Sequence, residues 1–406
     1  MSAGLSGLKV IDLTQGVSGP FTTRLLSQMG ARIIKVERPG AGDLIRFWDT
    51  IVHGMCSGHA WVNPGKESLA LDLKTEEGRN ILLDLVKTAD IVIENFVPGT
   101  MENWGLTYDR FKELNPRVVF CRISGFGQDE GPYRDRSALD LIIQGETGLI
   151  LTNGTPESPA KISLSLCDIS GAMYATIGIL EALFHRERTG RGQEVQVALL
   201  DAIMTWTGYF PYMYWYGGKV PERVGLHHHT MAPYGPYPAK DGRMVILAAG
   251  GGHTAMWKKF CEAIHRPAMF DAPLFTTNGS RLQNRAELDR QICEAMAEHE
   301  REYWLARFHE FGIPSGALND LADGLDHPRL QSRGFIKEVD SAVGKVKVFD
   351  FPPQFSELES VNRLGPPALG EHTAAILAEL GLSAERIDAL QRAGVVQTPG
   401  VSEANQ

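Results

Sequence analysis

The sequence predicts an α/β fold: a large doubly wound domain built on a parallel sheet, followed by a smaller α+β domain. Three observations carry this reading. Short apolar runs alternate with helix-patterned segments through the first half of the chain, as in repeated βα units. The first unit, residues 7–37, has the strand–turn–helix–strand order of a right-handed crossover. At residues 217–240 the composition shifts to Gly, Pro, Tyr and His, as it does between domains.

Taken in order, residues 7–14 are a short apolar strand closed by the turn Gln15-Gly-Val-Ser-Gly-Pro20. Pro20 occupies a tolerated first-turn position of a helix through Met29, and residues 32–37 are the second strand. The turn is not GxGxxG, so the dinucleotide fingerprint is absent and a nicotinamide oxidoreductase is disfavoured. Strands at 68–73, 90–94 and 117–123 and helices at 76–87 and 108–114 continue the alternation. An apolar segment at 163–184, broken by the lone carboxylate Asp168, reads as a buried helix. A basic Gly-rich turn, Arg188-Thr-Gly-Arg-Gly-Gln193, leads to a strand at 194–198 and a long helix at 199–216. The expected domains are therefore 1–216, a linker at 217–240, and a small domain at 241–335 with a strand at 243–248 and helices at 256–264 and 285–311. Residues 336–406 are expected to be linker, Pro-rich at 351–367, and a helical tail.

At 406 residues, 43% apolar and 22% charged, the chain is globular and long enough for two cores. A net charge of −9 argues against a nucleic-acid partner, while leaving room for small anionic ligands. Cys56, Cys121, Cys167, Cys261 and Cys293 lack CxxC spacing, so neither a disulfide framework nor a zinc site is expected. The first strand begins too early for a signal peptide, and no apolar run approaches the roughly 20 residues of a membrane span. The expected location is the cytoplasm, with no membrane partner.

Asp168 has two readings: an N-cap for the helix it opens, or a catalytic carboxylate kept ionised by the helix dipole. Turns after strand ends, at 15–19, 38–43 and 95–99, bring an Arg, an amide and an aromatic ring to one edge of a doubly wound sheet. That set suits a phosphorylated nucleotide, with Arg for phosphate and Phe for stacking. Turn chemistry alone also explains their Gly and Pro. Ala249-Gly-Gly-Gly252 is either a flexible loop or a backbone that closes over substrate. His227, His228 and His229 are adjacent and do not project to one point, so a polar linker or pocket lining is favoured over a metal site. Ser18, Ser165 and Cys167 lack any nucleophile signature, and Cys167 is expected in the core.

These residues carry a pattern. Leu8-Lys-Val-Ile-Asp-Leu-Thr14, Gly19-Pro20, Met29-Gly-Ala-Arg-Ile-Ile-Lys-Val-Glu-Arg-Pro-Gly-Ala-Gly-Asp43 and Asn63-Pro-Gly-Lys66 resemble the class III CoA-transferases. So do Glu94-Asn-Phe-Val-Pro-Gly99, His185-Arg-Glu-Arg-Thr-Gly-Arg-Gly-Gln193 and Leu369-Gly-Glu-His372. This is the family of formyl-CoA, crotonobetainyl-CoA and succinyl-CoA transferases, and it includes α-methylacyl-CoA racemases. The resemblance implies a Rossmann-like large domain built from both chain ends, a smaller domain inserted late, and an obligate homodimer of interlocked rings. It places the nucleophile at Asp168 and CoA-contacting positions at Val17, Ser18, Arg38, Asn63, Lys66, Asn95, Phe96 and Arg136. Asn103 stands where some relatives have a phosphate-binding Arg. Gly250, Gly251 and Gly252 resemble the loop that shields the acyl intermediate. Coenzyme A enters as a thioester substrate, and no resident cofactor or metal is implied.

In the racemases a His precedes the Asp of the segment equivalent to Ala138-Leu-Asp140. Here that position is Leu139, which exchanges no proton, and racemisation needs a second acid–base group. A catalytically silent acyl-CoA-binding protein would have no need of Asp168. The expected activity is CoA transfer from an acyl-CoA, succinyl-CoA above all, to a carboxylic acid. The overall pattern looks closest to the dicarboxylate branch, with itaconate, mesaconate, malate or a methylglutarate as acceptor. Arg46, Arg223 and His227–His229 would suit a second carboxylate, and surface roles explain the two arginines equally well.

Overall fold

The computed structural model describes residues 3–251, 254–362 and 364–399. Two compact units emerge: the described parts of Met1–Thr147, Ile162–Gly208 and Arg329–Gln406 form the larger, Gly148–Lys161 with Tyr209–Pro328 the smaller.

Among the described residues the larger unit is built on seven strands: β1 (Lys9–Asp12), β2 (Arg32–Glu37), β3 (Lys66–Leu71), β4 (Ile91–Glu94), β5 (Val119–Ser124), β6 (Glu194–Ala198) and a short C-terminal strand, Val396–Gln397. The order is Val396–Gln397, β3, β2, β1, β4, β5, β6; β1 to β6 are mutually parallel, and the C-terminal strand runs antiparallel against β3. The strands are near-continuous apolar runs because helices cover both faces of such a sheet, and Ile11, Ile34, Leu69, Val92 and Phe120 lie in one core. Strand order reverses between β1 and β4, the switch point at which doubly wound sheets hold ligands beyond the strands' carboxyl ends.

Helix α1 (Ser18–Gln28) connects β1 to β2. Gly19 lets its first turn fold onto Thr14, since a Cβ there would lie 2.3 Å from the Thr14 Cβ. The longest helix, Leu166–Thr189, packs on α1 and leads into β6. At 24 residues it is long and apolar enough to cross a membrane, contrary to the sequence scan, but half of its most apolar stretch is buried in the protein. Its last turn explains much of the 185–193 motif. Arg186 is buried and donates to Asp90 Oδ1 at 3.0 Å, tying the helix to the turn before β4.

Several expectations need correction. The helix expected at 199–216 is two, Leu199–Trp206 and Phe210–Gly217, parted at Gly208 with φ of 66°. The one at 285–311 is likewise Arg285–Met296 and Arg301–Glu310. Residues 217–240 are no mere linker. Tyr234–Pro238 pairs antiparallel with Met244–Ala248, which pairs with Ser315–Ala317, and Ala232, Tyr237 and Ala239 are buried in the smaller unit's core. That unit also takes in 148–161, because Arg223 donates to the carbonyls of Thr155 and Pro156 at 2.8 and 2.9 Å. The stretch after 335 holds a hairpin, Ile336–Ser341 with Gly344–Phe349, whose Val339, Val346 and Val348 bury against Ala60.

Candidate active site

The carboxyl ends of β1 to β4 place the turns 15–19, 38–43, 72–75 and 95–99 along one edge. The turn after β1 is held from every side. Asp12 Oδ1 accepts from Thr14 N at 2.9 Å, and Lys35 Nζ donates to Thr14 O at 2.7 Å. Asn95 pairs reciprocally with Gln15, each bond 2.8 Å, across the β1–β4 switch point. Asp43 Oδ1 accepts from Gly16 N at 2.9 Å, and its Oδ2 lies 2.9 Å from Lys35 Nζ. With Thr14, Gln15 and Gly16 so engaged, they cannot serve as oxyanion donors. The N–H groups of Val17, Ser18 and Gly19 remain: they open α1, where first-turn donors have no intrahelical partner, and no described group accepts from them.

Below this turn lies a buried charge network. Lys66 Nζ donates to Asp12 Oδ2 (3.1 Å), Pro20 O (2.9 Å) and Asn63 Oδ1 (2.8 Å), and Lys66, Asp12 and Asn63 are fully buried. Burial lowers the Lys66 ammonium to about 7. Burial alone would raise Asp12, but the charges of Lys66 and Lys35 hold its carboxyl well below the usual range. Asn63 also meets His59 Nδ1 at 2.9 Å, while His59 Nε2 lies 3.0 Å from Pro367 O. The Pro367 carbonyl can only accept, so His59 carries its proton on Nε2. The side chains of Asn63, Lys66 and Asn95 are thus engaged in internal bonds. Helical and strand periodicity says nothing of such pairings between distant turns.

The other expected contacts differ in exposure. Arg38 is exposed after β2 and has no ion-pair partner among the described residues. Phe96 is half-buried, its ring edge-on to Trp104 at 5.5 Å. Arg136 is exposed, with its guanidinium over the Tyr133 ring at 4.1 Å. Val17 and Ser18 are buried at the start of α1. Asn103 is exposed at the end of the Thr100–Asn103 helix, and Leu139 is 75% exposed. Lys74 is exposed just past β3, at the same carboxyl edge.

Asp168 lies in the first turn of Leu166–Thr189, whose N-cap is Ser165. The cap reading therefore fails. The cap bond comes from another helix, Asp140–Glu146, where Asp140 Oδ1 accepts from Cys167 N at 2.8 Å. Asp168 is half-buried and its carboxyl has no hydrogen-bond partner among the described residues. Desolvation first, and the Asp140 charge second, push it up to about 7. Burial beside a like charge thus opposes the ionisation that the helix dipole was expected to favour. Thr22 Oγ1 donates to Ala172 O at 3.4 Å. Both helices run back from the carboxyl edge toward the next strand. Their N-termini, with the free N–H groups of α1 and the Asp168 carboxyl, consequently share that edge.

In the smaller unit, Asn278 Oδ1 accepts from Gly251 N at 3.2 Å and Arg281 donates to Gly251 O at 3.1 Å, so Gly250 and Gly251 open a braced turn. Gly252 lies outside the described residues. His227 faces Tyr234 O (3.3 Å), His228 faces the Tyr209 hydroxyl (3.3 Å) and His229 faces Glu222 O (2.8 Å). They do not converge, and among the described residues no three His, Cys, Asp or Glu could hold a metal. Arg46 grips Glu37 through two 2.7 Å bonds, and Arg223 is spent on carbonyls, so neither is free for a substrate carboxylate. A cavity of about 550 Å³ opens between α1, the Ser57–Val62 helix and the 336–349 hairpin, and none of its lining residues belongs to the Asp168 segment.

A doubly wound sheet with an unpaired carboxylate beside free backbone donors at its carboxyl edge is a frame for acyl transfer. Residues 5–373 match CoA-transferase family III, and the chain belongs to this family of enzymes. It is 37% identical to the succinyl-CoA:mesaconate CoA-transferase of Haloarcula hispanica, covering 93% of this chain and 96% of that one. It is 35% identical to the acetyl-CoA:oxalate CoA-transferase of Acetobacter aceti, over 92% and 95%. A CaiB/BaiF family protein from Brucella suis has a solved structure that superposes with a TM-score of 0.82 at 35% identity, covering 94% of this chain and all of that one.

Proposed function

We propose that the protein takes CoA from succinyl-CoA and passes it to a small dicarboxylate of the itaconate, mesaconate, malate or methylglutarate kind, through intermediates on Asp168. The observation that carries this is the Asp168 carboxyl, half-buried, unpaired and in the first turn of a helix packed on α1.

Ionised Asp168 attacks the thioester carbonyl carbon. The carbonyl π pair moves onto oxygen, and the N–H groups of Val17, Ser18 and Gly19 are the donors for that oxyanion. Collapse breaks the C–S bond, giving an aspartyl–succinyl anhydride and CoA thiolate. The thiolate attacks the aspartyl carbonyl, releases succinate and leaves an aspartyl-CoA thioester. The acceptor carboxylate attacks this thioester, forming a second anhydride and freeing the thiolate. Thiolate attack on the acceptor carbonyl yields the new acyl-CoA and restores Asp168. No net proton moves, and the thioester energy survives only if water is kept from the anhydrides, the role the family resemblance gives the 250–252 segment. Arg38 serves a CoA phosphate and Phe96 the adenine face. The working unit in this reading is the interlocked homodimer, in the cytoplasm.

The test is intact mass spectrometry after incubation with succinyl-CoA and no acceptor. The expected result is a CoA adduct that maps to Asp168 and is removed by hydroxylamine. No adduct, or one on another residue, sinks the mechanism. A panel of acids that includes mesaconate, itaconate, malate, glutarate and oxalate, read by HPLC, then names the acceptor.

A further inference from the structure

We infer that Asp140 and Gln144, on one face of the Asp140–Glu146 helix, form a clamp that sets the position of the Asp168 carboxyl; this rests on reading Asp168 as the nucleophile. Residues four apart on a helix lie one above the other, so both side chains reach the same stretch of neighbouring chain. That stretch is 162–167. Gln144, fully buried, pairs with both backbone groups of Ile162: its Nε2 donates to the carbonyl at 3.0 Å and its Oε1 accepts from the N–H at 2.9 Å. Asp140 Oδ1 accepts from Cys167 N at 2.8 Å, and its Oδ2 accepts from Gln144 Nε2 at 2.7 Å, which joins the two grips.

The grips have a place in the fold. After Thr147 the chain leaves the larger unit for Gly148–Lys161 and returns at Ile162. Gln144 holds the first residue after the return and Asp140 holds the residue before the nucleophile. Ser165, the N-cap residue, makes no side-chain capping bond of its own.

The clamp also sets charge. The titratable groups on the elements packed against the Asp168 helix are Arg24 on α1, Cys121 and Arg122 on β5, Glu194 on β6, Asp201 on Leu199–Trp206, and Asp140 and Glu146 on the clamp helix. Of these, Asp140 is the charge that acts on Asp168, and it opposes ionisation. Asp140 thus trades nucleophile population for nucleophile placement.

The test separates placement from charge. Asp140→Asn keeps an acceptor for Cys167 N–H but loses both the charge and the Oδ2 acceptor of Gln144 Nε2; the acid limb of kcat/KM, which reads the charge and not the placement, is expected to move down by about one pH unit. Gln144→Ala keeps the charge and frees Ile162; kcat should fall about 10- to 100-fold with the limb in place and KM little changed. Asp140→Ala should show both effects. Circular dichroism and melting curves confirm that each variant folds, and Asp140→Asn, nearly isosteric, carries the test if Gln144→Ala does not fold. An unmoved limb in Asp140→Asn, or wild-type kcat in folded Gln144→Ala, overturns the clamp. Turnover by Asp168→Asn overturns instead the nucleophile reading, a separate result.

Discussion

Two carboxyls beside α1 meet opposite fates. Asp12 is fully buried and receives Lys66, Thr14 and Thr23, with hydroxyl bonds of 2.5 and 2.6 Å; it is held ionised. Asp168 is only half-buried, has no hydrogen bond, and faces another carboxylate. Depth alone would predict the reverse. Partners decide: a paired buried charge fixes geometry, and an unpaired one stores reactivity. The paired region holds the Thr14–Gly16 turn rigid, and that rigidity leaves the Val17–Gly19 donors beside the unpaired carboxyl.

Removing the unpaired carboxyl tests the comparison hardest. Asp168→Asn should lower turnover at least about 10⁴-fold, because the covalent route is lost and not merely weakened. It should also stabilise the fold in one pH range. The folded pKa of Asp168 is raised from 3.8 to about 7, so its contribution to stability is present below pH 3.8 and is lost as pH rises through 7. Urea unfolding should therefore find the Asn variant more stable by about 2 kcal/mol at pH 8, after allowance for half-burial, and unchanged near pH 4. Equal stability at both ends would mean that the carboxyl is better solvated than its surroundings imply.

The paired region should answer in stability. Lys66→Met leaves the buried Asp12 charge with its hydroxyls and the charge of Lys35 but without its ion-pair partner, at a cost of about 3 kcal/mol in urea unfolding. Asp12→Asn combined with Lys66→Met should recover part of this, because the stranded charge is gone. A double variant no better than Lys66→Met would show that packing of the lysine stem, not charge, dominates.

The contrast between these regions explains what the sequence could and could not disclose. Apolar runs and turn residues locate β1 to β6 and α1, since burial and backbone geometry act on neighbours in the chain. The Asp168 segment stands out for the same reason, as a single carboxylate in an apolar helix. Partners are another matter. Asn63, Lys66 and Asn95 look like ligand contacts from local motif, and only the folded chain shows the internal bonds that their side chains make. Asp140 and Gln144 have a signal, the i,i+4 spacing, but its object at 162–167 lies some twenty residues on. The 336–349 hairpin hides in a Lys- and Glu-bearing stretch whose exposed face masks the alternation of Val339, Val346 and Val348.

The unpaired carboxyl also sets a pH response. Only ionised Asp168 attacks, so kcat/KM for succinyl-CoA should fall about tenfold per pH unit below about 7. A plateau that extends to pH 5 would mean that the free enzyme already holds the carboxylate ionised, and would place a cation beside it in the working assembly.

The smallest effect sets two arginines against each other. Arg46 follows the paired rule: it is bidentate on buried Glu37, whose carboxyl is lowered to about 2, since Arg46 and Lys35 overcome the burial that would raise it. Arg38, eight positions earlier at the same edge, is exposed and unpaired among the described residues. A cation that the fold does not use can be removed without cost to the fold. Arg38→Ala should leave the melting temperature unchanged and raise the KM for the acyl-CoA about 3- to 10-fold, one partly screened phosphate contact, with kcat held. Arg46→Ala should do the opposite, leaving Glu37 buried without its partner and lowering stability by about 1–3 kcal/mol. If instead Arg38→Ala lowers the melting temperature and spares KM, then exposure at this edge does not mark ligand contacts, and the rule that unpaired charges serve the chemistry is confined to Asp168.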